Sequence, residues 1–156
     1  DAVFAVYPFT PQPAITQALL TVAECPVFVG VGGGTTTGKR SVQMAAVSEM
    51  QGAAGCVVNS PATAEMVEHI TNIADIPVIA TVTEDDEITE CKILAGAAII
   101  NVAAGARTAQ VVASIRAHHP EIPILASGGG REDHILGPDR RGIWGVPECG
   151  QSGGEI

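Results

Sequence analysis

Residues 75–83 read DIPVIATVT. An acidic residue and a proline open the stretch, an unbroken apolar run fills its middle, and threonines close it. A half-wet strand would alternate apolar and polar side chains. Val78, Ile79 and Ala80 in succession do not, so both faces of this strand are expected to be covered, as in a parallel sheet with helical crossovers. The same preface returns in ECPVFVG (24–30) and EIPILAS (121–127), and another is shared by AAGCVV (53–58) and LAGAAII (94–100). With AVFAVYP (2–8) these runs give six strands.

Between the strands the apolar period becomes helical. Ala14, Ile15, Ala18, Leu19 and Val22 mark one stripe, Val42, Ala45, Ala46 and Met50 a second, and Val67, Ile70 and Ile73 a third. A further helix spans Thr108 to His119, before Pro120. Thr10 with Pro11, Ser60 with Pro61, and Thr83 are the expected N-caps, with Glu84, Asp85 and Asp86 in a first turn where carboxylates suit the helix dipole. Each unit is one strand plus one helix, repeated about every 20–28 residues.

An open doubly wound sheet and a closed barrel both satisfy this beat. Glycines or small polar residues end nearly every strand, which suits a barrel, where all the C-terminal ends meet on one rim. An open sheet would gather them at a single switch point. The fold class expected is therefore α/β, a parallel (β/α) TIM-type barrel with about six units and incomplete. Residues 1–136 form that domain, and 137–156, GPDRRGIWGVPECGQSGGEI, read as an irregular tail without helix or strand period. The tail is expected not to be a barrel's native ending, and the start at Asp1, directly on a strand, suggests that the domain begins earlier.

Composition agrees with a layered protein: 46% apolar residues, 16% charged and 3% aromatic. A net charge of −9 opposes nucleic-acid binding, and Lys39–Arg40 and Arg140–Arg141 are pairs rather than a basic patch. Cys25, Cys56, Cys91 and Cys149 lack metal-ligand spacing and read as reduced thiols of a cytoplasmic protein, with no metal and no cofactor expected. No apolar run is long enough for a membrane span, and no secretory leader is visible.

AGCVVNS, IPVIATV, AGAAIINVAAG and IPILASGGGRED resemble consecutive strands of the small TIM barrels that bind phosphorylated sugars. Those include indole-glycerol-phosphate synthase, thiamine-phosphate synthase and the 2-keto-3-deoxy sugar-acid aldolases. Bacterial barrel proteins named only as hydrolases are similar too, and the glycerol-responsive antiterminators have a related barrel. The resemblance covers residues 2–136. It implies that Ser127, Gly128, Gly129 and Gly130 hold a phosphate, and that the protein is a hydrolase, lyase or isomerase acting on a small anionic metabolite. The other implied possibility is a barrel that senses such a metabolite without turning it over. A homo-oligomer is compatible with either.

The stretch GVGGGTTTGKRS (30–41) approaches the phosphate loop of nucleotide hydrolases but places Arg40 where a magnesium-binding hydroxyl belongs. It is read instead as a rim loop in which Gly32, Gly33 and Gly34 allow close approach to a ligand and Thr35 offers a hydroxyl. Thr81 is the other proposed ligand contact, and Lys39, Asn59 and Asn101 are assigned catalytic roles. Lys92 falls mid-helix, which disfavours Schiff-base chemistry. His118 and His119 read as structural, Glu84 and Asp85 as dipole partners, and His134 as the histidine nearest the rim.

Overall fold

The computed structural model describes residues 1–7, 10–127 and, as backbone, 143–146. Strands and helices alternate through it: β1 (Val3–Ala5), α1 (Pro13–Val22), β2 (Val27–Gly32), α2 (Lys39–Met50), β3 (Gly55–Val58), α3 (Ala64–Thr71), β4 (Val78–Val82), α4 (Glu87–Leu94), β5 (Ile99–Val102), a 3-10 turn (Gly105–Arg107), α5 (Thr108–His118), β6 (Ile124–Ser127) and β7 (Ile143–Val146). All neighbouring strands pair in parallel, and their order in the sheet is their order in the chain. No reversal occurs, so there is no switch point of the doubly wound kind. The sheet curls as part of a barrel.

Side-chain parity divides the core into two layers. Val27, Val29, Val31, Cys56, Val58, Val78, Ala80, Val82, Ile100, Val102, Ile124 and Ala126 pack with helix residues such as Met44, Val67, Ile70, Val112 and Ile115. The opposite parity forms a separate layer of Val57, Ile79 and Leu125, flanked by Phe4, Phe28 and Ile99, to which no helix contributes. Every described helix thus covers one face of the sheet, and the other face is the concave interior. Gly55 permits that interior layer to form, since a Cβ there would lie 2.6 Å from the Phe28 ring.

Three expected helix starts shift. Pro13, not Pro11, takes the first turn of α1, and Gln12 is its N-cap. Thr63, not Ser60, caps α3 by accepting from the Met66 N–H at 3.2 Å. Asp86, not Thr83, caps α4 by accepting from the Thr89 N–H at 2.9 Å. In the last two cases the chain first makes a rim loop. Ala62 N–H bonds Asn59 C=O at 2.9 Å, which makes Ser60 and Pro61 turn residues. Hydroxyl-then-proline suits a turn as well as a helix start, and the local signal cannot separate them. A further correction falls in the tail. Ile143–Val146 is a parallel strand on β6, a seventh where six were counted. Glycine and proline on both sides of so short a run hide it from a period-based reading.

Candidate functional site

The interior parity changes chemistry toward the strand ends. Phe28, Val57, Ile79, Ile99 and Leu125 make an apolar floor, and one further pleat along stand Asn59, Thr81, Asn101 and Ser127. Thr81 and Asn101 are direct cross-strand partners. Ser127 lies one pleat beyond Leu125, which is opposite Asn101. The Ser127 hydroxyl donates to Asn101 Oδ1 at 2.8 Å, and Asn101 Nδ2 donates to Thr81 Oγ1 at 3.1 Å. A hydrogen-bonded rung therefore crosses β4, β5 and β6 with Asn101, only 4% exposed, at its centre.

The rung has a direction. Thr81 Oγ1 accepts from Asn101, and nothing among the described residues accepts from Thr81, so its O–H is available to the mouth. Nor does any described residue bond the Asn59 carboxamide. Asn59 lines a cavity of about 240 Å³ together with Val6, Pro11, Gly32, Gly34 and Thr35. The loop after β2 closes over this cavity: Gly33 N–H bonds Thr36 C=O at 2.8 Å, the buried Ser41 hydroxyl bonds the same carbonyl at 3.0 Å, and Asn59 N–H bonds Gly32 C=O at 2.9 Å. Gly33 has φ +102°, and a Cβ on it would stand 2.8 Å from Asn59 N and 2.9 Å from Ala62 Cβ. The loop is thus a compact turn sealed against β3. Its Gly33 amide is spent internally, unlike the amides of a nucleotide loop, which point at phosphate.

The structure brings Asn59 together with Gly32, Gly34 and Thr35, and Thr81 with Asn101 and Ser127. It places Lys39 elsewhere. That lysine is exposed at the first turn of α2 and lines an outer groove of about 600 Å³ with Val42, Ala62, Thr63, Met66 and His69. Gly128, Gly129, Gly130 and His134 lie outside the described residues. Among the described lining residues of the mouth there is no Asp, Glu, Lys, Arg, His or Cys. Among the described residues no group of His, Cys, Asp and Glu could hold a metal, and no helix is long and apolar enough to cross a membrane.

Sequence reasoning weighed Lys92 only as a Schiff-base lysine and set it aside. Although mid-helix, it is 1% exposed, and its ammonium donates to the carbonyls of Ser60 at 2.7 Å and Thr81 at 3.2 Å. Burial pushes its pKa below the usual lysine range, opposed by the nearby Asp86 carboxylate. Thr89, three residues earlier on the same helical face, is also buried, a property that the sequence itself does not signal. Arg107 bonds Glu84 at 3.0 Å, His118 bonds Asp85 at 3.0 Å and His119 bonds Glu90 at 2.6 Å. These contacts tie the 3-10 turn and the C-terminal end of α5 to the β4–α4 loop and to α4, so Glu84 and Asp85 each have a protein partner.

No protein-family model and no curated protein matches the sequence. Among solved structures the chain is similar to the phosphoenolpyruvate phosphomutase of Streptomyces platensis subsp. rosaceus, with a TM-score of 0.68 and 14% identity over 86% of this chain and 59% of that one. A protein named as a candidate phosphonomutase from Burkholderia cenocepacia J2315 gives 0.63 and 13%, over 86% and 67%. An E. coli K12 prophage protein of the dihydrodipicolinic acid synthase family, solved with pyruvate, gives 0.55 and 20%, over 85% and 51%. The likeness is one of fold, a β/α barrel, and the chain spans between 51% and 67% of the length of these three proteins.

Proposed function

We propose that this chain builds the ligand-binding wall of a β/α-barrel metabolic enzyme of hydrolase, lyase or isomerase type, acting on a small phosphorylated substrate at the C-terminal rim of the strands. The rung Thr81–Asn101–Ser127 is the observation that carries the reading. A buried Asn101 bonded to half-buried hydroxyls on both neighbouring strands costs desolvation that an apolar side chain at that position would not. A rim built to hold ligand oxygens accounts for that cost. The similar structures, which include a phosphoenolpyruvate phosphomutase and a protein holding pyruvate, support a small, oxygen-rich, anionic substrate.

On this reading the anion lies at the β6 end, against Ser127 and the glycines that follow it. Thr81 O–H and the Asn59 amide then donate to a second oxygen of the substrate. Preorganised donors aimed at a developing oxyanion stabilise it electrostatically, often the largest single contribution to catalysis. Tyr7, which lines the cavity beside Asn59, is the titratable side chain among the described mouth residues, and none of them is a carboxylate, histidine or lysine. That neutrality also favours a second reading, a barrel that senses a phosphorylated metabolite and does not convert it.

Thermal-shift screening with sugar phosphates, phosphoenolpyruvate and pyruvate tests the proposal. A ligand that raises the melting temperature of the wild type but not of Gly129→Asp supports the phosphate end; equal shifts in both remove it. Recovery of that ligand intact after long incubation selects the sensor over the enzyme.

A further inference from the structure

Helix α4 buries the wrong kind of face. Ile88 and Leu94 are 60% and 76% exposed, whereas Thr89 and Lys92 are buried. Both buried side chains reach loop or strand carbonyls: Thr89 Oγ1 donates to Glu84 C=O at 2.7 Å, and Lys92 Nζ to Ser60 and Thr81. Ile93 alone of its large apolar side chains packs partly against the core, so the helix has given up hydrophobic stabilisation at that contact.

The sheet shows what the lysine replaces. Cys56 N–H bonds Pro77 C=O, and carbonyls facing one neighbour recur every second residue along a parallel strand, so those of Ile79 and Thr81 also face β3. The β3–β4 pairing ends at Val58 with Ala80. Beyond it β3 veers into the Asn59–Ala62 turn, and the Thr81 carbonyl faces a position where the ladder has no further strand residue. The Lys92 ammonium stands there and bonds Ser60 C=O on the departing strand as well. Thr81 carries the available hydroxyl of the rung, and Ser60 follows Asn59. One cation outside the wall thus grips the two backbones whose inward side chains face the mouth.

We propose that Lys92 is a positioning residue for the barrel mouth: its ammonium substitutes for the missing ladder donor at the end of β3 and thereby sets the hydroxyl of Thr81 and the carboxamide of Asn59. The role is defined on the rim site proposed above. Its test contains no ligand, so failure of a ligand screen and failure of this idea are separate results.

The side-chain amide signals of Asn59 and Asn101 and the methyl signal of Thr81 are followed by NMR in wild type, Lys92→Met, Lys92→Gln and Lys92→Ala, with the exposed Asn72 amide as control. In Lys92→Met and Lys92→Ala the three mouth signals are expected to move by more than a linewidth while Asn72 stays in place. In Lys92→Ala, added propylammonium should return them toward wild-type positions, and propanol, of similar shape but uncharged, should not. Wild-type mouth signals in Lys92→Met overturn the proposal, as does equal rescue by propanol, which would make the lysine a space-filler. Should Lys92→Met and Lys92→Ala fail to fold, Lys92→Gln, one atom shorter and uncharged, decides it: mouth signals at their wild-type positions overturn positioning by the ammonium, and their displacement while Asn72 stays in place supports it.

Discussion

Replacing Asn101 by Ala removes the middle of the rung and strands both ends. The side chain makes two hydrogen bonds, to Thr81 and from Ser127. Each is a neutral pair worth about 0.5–1.5 kcal/mol net, so their loss sets an upper figure of about 2–3 kcal/mol. Thr81 and Ser127 are only half-buried and can turn to water, whereas Asn101 itself is 4% exposed. That relief brings the expected cost to about 1–2 kcal/mol. For a domain of this length, about 2–4 °C of melting temperature corresponds to each kcal/mol, and the fall should be roughly 2–8 °C. Urea and thermal unfolding of Asn101→Ala, Ser127→Ala and the double variant close a cycle whose coupling is expected at about 0.5–1 kcal/mol. Asn59→Ala is the control, because its carboxamide bonds no described residue, and should stay within about 0.5 kcal/mol. An Asn101→Ala protein as stable as wild type, or additive single variants, would refute the rung as a connected structure.

Gly33→Ala should destabilise by about 2–4 kcal/mol in urea unfolding, since it combines a positive φ with a Cβ pressed on Asn59 N and Ala62 Cβ; a cost below about 1 kcal/mol would show that the loop is not sealed. Thr63→Ala should cost about 1 kcal/mol and Ser60→Ala nearly nothing, because the cap of α3 is Thr63; the reverse order would restore the start read from sequence. Burial pushes the Cys56 thiol from 9.0 up to about 12, with Glu49 adding to the rise and a hydrogen bond at its own backbone opposing it. Between those values the unfolded chain has lost the proton and the folded chain keeps it, so Cys56 should make stability fall as pH rises, by at most about 1.4 kcal/mol per unit. Lys92, lowered on folding, acts in the opposite sense below 10.5. Comparing alkaline unfolding of wild type and Cys56→Ala isolates the first effect: identical pH profiles would contradict it. In native protein at neutral pH, exposed Cys91 should react with a thiol reagent and Cys56 should not.

Strand identity was legible because it depends on local composition. IPVIATV or GCVV cannot face water on either side, and parallel pairing follows from that fact alone. Strand order could be inferred only from where the glycines sit, and chain-order pairing agrees with the inference. Asn59, Thr81, Asn101 and Ser127 were visible as polar residues ending apolar runs, and Asn101 and Ser127 prove to be bonded through an alignment of strands that no single run encodes. Lys39 follows glycine at a helix start in the sequence, and the turn after β2 carries it to the outer groove, a placement that adjacency along the chain does not encode. Lys92 was hidden for the same reason. Its meaning comes from Ser60 and Thr81, which lie 32 and 11 residues away along the chain.

The division of the core into two layers has an evolutionary consequence. The helix-facing layer holds most of the buried apolar side chains, and the concave face contributes few. Under the proposed function, folding free energy and ligand recognition draw on largely separate sets of positions in the same strands, alternating one by one. Substitutions on the inward set would then retune which small molecule fits while the outward set keeps the wall standing, so a lineage built on such a scaffold could wander through ligand preferences without first acquiring spare stability.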